Sequence, residues 1–360
     1  MSGIWGSKIK LSIFGESHGA AIGITIDGLR SGFELNLDLI KIEMAKRAPG
    51  TSELSTKRKE ADNFQILSGF FNGKTTGTPL CAIIFNSNQN SSDYEKSKSL
   101  LRPSHADYTG HYKYNGFNDY RGGGHFSGRL TAPLVFAGAI SKQLLNTKGI
   151  FIASHIKSIA QISDIGFDAS HLNAEMFSIL NTSNFPVLTK KLGTTMKAEI
   201  ILAKEDKDSV GGVIETAVIN LPVGIGEPFF DSVESTLAHL IFSVPAVKGL
   251  EFGAGFDITK IRGSIANDPY YIDNGKIRTR LNNNGGINGG ISNGMPIIFR
   301  TAIKPTPSIG KMQSTVDIST MQNALIEVSG RHDPCIVQRA LPVIEAVTAI
   351  ALVDLIELSK

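Results

Sequence analysis

Four short stretches gather imidazole, guanidinium, hydroxyl and carboxylate groups among glycines and prolines. They are Gly15-Glu16-Ser17-His18-Gly19, Arg102-Pro103-Ser104-His105-Ala106-Asp107, Asp119-Tyr120-Arg121-Gly122-Gly123-Gly124-His125-Phe126-Ser127-Gly128-Arg129 and Gly330-Arg331-His332-Asp333-Pro334. Irregular backbone of this kind carries catalytic groups disproportionately. One such histidine is more often structural, but four clusters of the same type in one chain are hard to explain by packing alone. Arginine offers paired donors to carboxylate and phosphate oxygens, and histidine exchanges a proton near neutral pH. The residue types therefore predict acid-base chemistry on a small polyanion, without saying which one. The glycines at 122–124 and the run Asn282 to Gly294 leave too little side chain for a core and suit backbone that approaches a ligand or another chain closely.

Several familiar motifs fail on inspection. Gly69-Phe70-Phe71-Asn72-Gly73-Lys74-Thr75 resembles a phosphate-binding loop, but the position where the pattern needs its first glycine is Ser68. No GxGxxG fingerprint follows a strand, and Ser17-His18 lacks the GxSxG elbow of a hydrolase. His105, Asp107, His111 and His125 match no metal-ligand spacing, so no metal is expected. Asp333 stands two residues before Cys335 and offers its thiolate no support, which makes a buried structural thiol the simpler reading.

These groups need a scaffold of interleaved strands and helices. Ala21 to Leu29, Leu80 to Phe85, Met196 to Ala203, Val213 to Leu221 and Ile297 to Ile303 are rich in Ile, Val and Thr with partial period-two patterning, which predicts strands. Asn36 can cap a helix over Leu37 to Arg47 that stops at Pro49-Gly50. Thr131 can cap an apolar helix with Pro133 in its first turn, ending near Gly149. Asp231 and Glu234 have the spacing of a capping-box-like start to a helix that ends before Pro245. A last long helix is expected from about Cys335 to Leu358, bent or offset at Pro342. Periodicity leaves α/β and α+β both open. The polar run Asn86 to Ser99 reads as a solvated loop, either inert or a lid.

Composition bounds the function. The chain has 360 residues, 41% of them hydrophobic, and its net charge of +3 is too small for a general nucleic-acid binder, so no nucleic-acid partner is expected. Cys81 and Cys335 form no disulfide framework, and the N-terminus lacks the apolar run of a signal peptide. The most apolar stretch, Ala340 to Leu358, carries Glu345, Asp354 and Glu357, which argues against a membrane span. A soluble cytoplasmic protein is expected.

Taken in order, these stretches resemble the signature blocks of the chorismate synthase family. The blocks are GESHG from Gly15, RAPGTS from Arg47, RPSHADYT from Arg102, DYRGGG from Asp119, AVKGLEFGAGF from Ala246, GGISNG from Gly289, KPTPSI from Lys304 and GRHDPC from Gly330. The match is colinear over almost the whole chain. The resemblance implies an α+β fold, one domain over residues 1–360 in which helices lie between antiparallel sheets, assembled as a homotetramer. It implies a lyase that eliminates phosphate from 5-enolpyruvylshikimate 3-phosphate to give chorismate, the last common step of the shikimate pathway to the aromatic amino acids. It also implies reduced FMN without net redox change, with NADPH as a possible indirect reductant.

By position, the resemblance gives His18 to the reduced flavin, His105 to the leaving phosphate and Asp333 to proton handling, with Ser17 and Ser127 as assisting hydroxyls. Flavin contacts are expected from His125, Phe126, Ser127, Ala246, Gly289, Lys304, Pro305, Thr306, Pro307, Ser308 and Arg331. Arg47, Arg129 and Arg331, with His18, are the candidates for gripping the substrate. The chain departs from the family pattern at His125-Phe126, where many members read Arg-Ser, at Glu53 in place of a second arginine, and at Pro245 where asparagine is common. The rival readings are a flavin-dependent enzyme of the same scaffold acting on another small polyanion, and a catalytically silent binding homologue.

Overall fold

A computed structural model describes residues 3–50, 54, 62–86, 98–328 and 332–359. It builds two five-stranded antiparallel sheets. The first contains β1 (Ile4–Trp5), β2 (Lys10–Gly15), β3 (Ala21–Asp27), β4 (Phe64–Ser68) and β5 (Leu80–Phe85), in the order β1-β2-β3-β5-β4. Period-two patterning sets its inner face: Leu80, Ala82 and Ile84 are buried and stand opposite Ile26, Ile24 and Ile22. The second sheet contains β6 (Phe151–Ile159), β7 (Ile162–Ser163), β8 (Gly212–Ile219), β9 (Val247–Phe252) and β10 (Ile297–Ile303), ordered β9-β10-β8-β6-β7. Ala153, Ala217, Ile219 and Ile298 on its outer side pack against Phe177 and Leu180 of a covering helix, so its central strands are buried on both faces.

Helices α1 (Leu37–Arg47), α2 (Asp107–Lys113), α3 (Thr131–Asn146), α4 (Ala174–Thr182), α5 (Lys190–Glu205), α6 (Val233–Ile241) and α7 (Val337–Leu358) complete the main framework. Phe177 and Leu180 belong to α4. Between the sheets lie α3 and α7, flanked by α1 and α6, in one continuous apolar core. The position of α7 explains its sequence: 18 of its 22 residues are buried, because a helix enclosed on every side has no polar face to offer water. It approaches α3 so closely that a Cβ on Gly138 would stand 2.2 Å from the Ala346 Cβ. Among the described residues, no helix is long and apolar enough to cross a membrane.

The fold is α+β with several antiparallel sheets, and most of the expected elements sit where patterning put them. Asn36 Oδ1 caps α1 by accepting from Asp38 N and Leu39 N. Three local expectations are corrected. Residues 196–203 lie inside α5, whose buried Gly193, Met196, Ile200 and Ala203 follow the helical three-to-four spacing. Ser232, not Asp231, caps α6 by accepting from Ser235 N at 3.0 Å. Thr131 does not cap α3; its hydroxyl donates back to Gly128 O at 2.6 Å. Of the polar run 86–99, Asn86, Lys98 and Ser99 are described, and 87–97 lie outside the described residues.

Candidate active site

Charged and hydroxyl side chains from distant parts of the chain line a single cavity of about 850 Å³, within the ~300–1,000 Å³ range of small-molecule sites. His105, Ser127, Asp333, Arg47 and Arg129 all face it, as do His125, Phe126, Ala246, Lys304, Thr306, Pro307 and Ser308. Neither Pro305 nor Gly289 lines it; Gly289 sits at the tip of the hairpin formed by Ile287–Asn288 and Ile291–Ser292. Arg331 and Glu53 lie outside the described residues.

The loop that carries His105 is built rigidly. Arg102 Nε and Nη2 grip both oxygens of Asp107 at 2.8 and 2.7 Å. Ser104 adopts a positive φ of 60°, and its carbonyl accepts from Lys304 Nζ at 2.8 Å. His105 Nε2 then meets Ser308 Oγ at 2.8 Å. Burial pushes the His105 imidazole down to about 4, and the neighbouring Arg102, Lys304 and His332 push the same way against the opposing Asp107. The ring is therefore neutral near pH 7 until negative charge arrives. Burial alone would raise the Asp107 carboxyl, yet the Arg102 hydrogen bonds and charge hold it below its ordinary value. Burial, followed by the nearby Lys248, lowers Lys304.

His18 is placed differently. It is buried and does not line the cavity. It lies behind Gly122, where a Cβ would fall 2.0 Å from its Cε1. Gly122, Gly123 and Gly124 take φ values of 60°, 84° and 53° in succession, a left-handed run that only glycine adopts readily. Backbone without side chains thus forms the wall between imidazole and cavity. Ser17 Oγ stands 3.0 Å from Gly122 O and 3.1 Å from His18 Nδ1. With its proton given to the carbonyl, the serine oxygen accepts from an Nδ1–H of the ring. The neighbouring turn is locked on by Ser17 N donating to Gly124 O at 3.1 Å and His125 Nδ1 donating to Gly15 O at 2.9 Å. His125 therefore serves as a brace here, and Phe126 packs at 6.1 Å from the Tyr114 ring.

The arginine wall contains a residue that sequence reasoning missed. Asp62, whose side chain is 1% exposed, is shared by Arg47, with Nε at 3.2 Å, and by Arg129 through Nη1. One buried carboxylate thus draws both guanidiniums together at the cavity wall. Arg47 continues the buried stripe Ile40, Met44 along α1, an arginine where the helical period demands an apolar residue. That break in the stripe was a legible sign. No such sign marked Asp62, which follows a charged run. Arg339 was also missed: it lines the cavity, pairs through Nη1 with Asp333 Oδ2, and donates Nε to Arg47 O at 3.0 Å.

The cavity has the features a flavin and a polyanionic substrate require. Its volume admits both, its walls alternate apolar and cationic groups, and Thr306 Oγ1 is buried there with no hydrogen-bond partner among the described residues. An unmade bond on a cavity wall is satisfied most simply by a bound ligand. No group of three or more His, Cys, Asp or Glu residues among those described could hold a metal ion.

Fold and cavity together define an enzyme class that handles a small polyanion beside an aromatic cofactor. A family model described as chorismate synthase matches residues 9–356. The chain is 49% identical over 357 residues to a chorismate synthase of Dehalococcoides mccartyi, covering 99% of this chain and 96% of that one. It is 43% identical over 349 residues to that of Thermococcus kodakarensis, covering 97% and 96%. A crystal structure of chorismate synthase superposes with a TM-score of 0.76 at 28% identity, over 98% of this chain and 92% of the other. The chain belongs to the chorismate synthase family, whose members use reduced FMN.

Proposed function

We propose that this chain catalyses the anti-1,4-elimination of phosphate from 5-enolpyruvylshikimate 3-phosphate, giving chorismate, with reduced FMN and no net redox change. The observation that carries the reading is the meeting of His105, Asp333 and the Arg47–Asp62–Arg129 wall around one cavity. The reaction must expel an allylic phosphate and remove a hydrogen from a carbon that ordinary side-chain bases cannot deprotonate. A bound reduced FMN would supply the electron density that phosphate loss needs and an acceptor for the hydrogen, with no net change in its oxidation state. Ala246, Lys304, Thr306, Pro307 and Ser308, with Phe126, would hold it.

The chain's own residues supply orientation, charge and protons. Arg47 and Arg129 present a fixed cationic surface to the substrate carboxylates and phosphate, with Arg331 assigned to the same task. Their geometry is set in advance by Asp62, so little ordering remains when substrate binds. His105 stays neutral in the free chain because burial and the neighbouring Arg102, Lys304 and His332 oppose its charge. An incoming phosphate dianion reverses that balance, so the imidazole gains its proton where the leaving oxygen develops charge. Asp333, oriented by Arg339, is the carboxylate that handles the proton, assisted by Ser127. His18, its Nδ1–H held by Ser17, backs the thin glycine wall and fixes its position. We further propose a cytoplasmic homotetramer and an indirect role for NADPH as reductant.

An anaerobic assay with chemically reduced FMN tests this reading. One phosphate should appear per chorismate while the flavin stays reduced. Flavin oxidised in step with product, or ligand bound without turnover, would contradict it.

A further inference from the structure

The polar run that begins at Asn86 conceals a bracket. Asn86 directly follows β5, and its side-chain amide has three partners on two different parts of the site. Nδ2 donates to Glu16 O at 3.0 Å and to Gly19 O at 2.9 Å. Those carbonyls are the two shoulders of the turn that bears Ser17 and His18. Oδ1 accepts from Arg129 Nε at 3.1 Å. The backbone N–H adds a fourth bond, to Ala20 O at 3.1 Å. The amide orientation is fixed chemically, because Arg offers only donors and the carbonyls only accept. Asn86 does not line the cavity, so any effect on the reaction passes through the groups it holds.

We propose that Asn86 is a positioning residue that registers the Ser17–His18 turn against the Arg129 guanidinium. The proposal rests on the roles given to His18 and Arg129 above. Separate side chains could have tied each group to neighbouring backbone. One planar amide ties them to each other, so a displacement of the turn by a fraction of an ångström is felt at the arginine wall. Aspartate and glutamine do not reproduce this arrangement: a carboxylate has no donor for Glu16 O and Gly19 O, and a longer arm overshoots both carbonyls.

Asn86→Asp separates the two halves of the bracket. Its carboxylate still accepts from Arg129, while its second oxygen faces two carbonyl oxygens. Substrate KM should therefore rise, because the new charge offsets one arginine, and kcat should also fall, by about 30-fold, as a lost transition-state interaction requires. Combining it with His18→Ala supplies a readout that a purely structural role would not move. If His18→Ala alone costs about 100-fold, the double variant should cost about 100- to 200-fold. Independent sites would multiply to about 3,000-fold. A multiplicative result with an impaired His18→Ala overturns the bracket and leaves the function standing. Near-wild-type turnover of His18→Ala overturns the role of His18 and the bracket with it. Oxidised-FMN binding and thermal unfolding establish that each variant is folded. Should Asn86→Asp not fold, Asn86→Ala, which removes the arm without adding charge, enters the same cycle with the same two outcomes.

Discussion

Substrate binding should load a proton onto His105, and the size of that effect follows from its surroundings. In the free chain burial, with Arg102, Lys304 and the neighbouring His332, lowers the imidazole to about 4. At pH 7 about one ring in a thousand is then protonated. A phosphate dianion entering among those groups opposes the electrostatic part of the shift and adds attraction of its own, moving the group back toward its ordinary 6.5. Affinity then rises as pH falls, by about tenfold per unit between pH 6.5 and 4, to a ceiling of about 300-fold over the whole window. The substrate phosphate titrates in the same range, so the quantity to measure is the ratio of wild type to His105→Ala. Calorimetry in two buffers of different ionisation enthalpy should give about 0.7 proton taken up per substrate at pH 6, absent in the variant. The same shift acts on folding. An imidazole held below its unfolded value costs nothing above pH 6.5 and destabilises the free chain increasingly as pH falls toward 4. The reasoning fails if the two proteins show equal pH slopes, or if His105 titrates at 6 or above in the free chain by NMR.

Three further outcomes follow from packing. Asp62→Asn removes the carboxylate that two buried guanidiniums share and should destabilise the chain by about 3–5 kcal/mol, read from the urea midpoint; an unchanged midpoint would mean that the shared pairing contributes nothing to stability. Gly122→Ala drives a methyl group to 2.0 Å from His18 Cε1 at a backbone φ of 60°, so turnover should fall at least about tenfold through displacement of the ring. Full activity in that variant would remove His18 from the reaction. Gly138→Ala overpacks the crossing of α3 with α7, where the added Cβ meets Ala346 at 2.2 Å, and should cost about 1–3 kcal/mol without changing KM.

Local signals carried much of the fold. Helix α1 was legible residue by residue because Asn36 begins it and Pro49-Gly50 stop the chain. Strand β5 was legible as a short apolar run, Leu80 to Phe85, but its alternating burial was not, because every residue in it is apolar. Residues 196–203 misled because isoleucine and alanine satisfy a strand pattern as readily as a helix pattern over a short window, and the deciding evidence, the buried spacing from Gly193 to Ala203, extends beyond it. The candidate site was legible as clusters of chemistry-bearing types, but not as geometry. Asp62, Asn86 and Arg339 act by touching residues 67, 43 and 292 positions away, and no local pattern encodes a partner at such a distance. The same holds for His18, whose position behind a glycine wall depends on three successive left-handed glycines from another segment.

A crystal structure of the chain with oxidised FMN and 5-enolpyruvylshikimate 3-phosphate tests the central claim most directly. Both molecules should occupy the cavity between His105 and Asp333, with substrate anions against Arg47 and Arg129 and a ligand atom bonded to Thr306 Oγ1. Ligands bound elsewhere, such as at the Gly289 hairpin, with the arginine wall untouched, would contradict it.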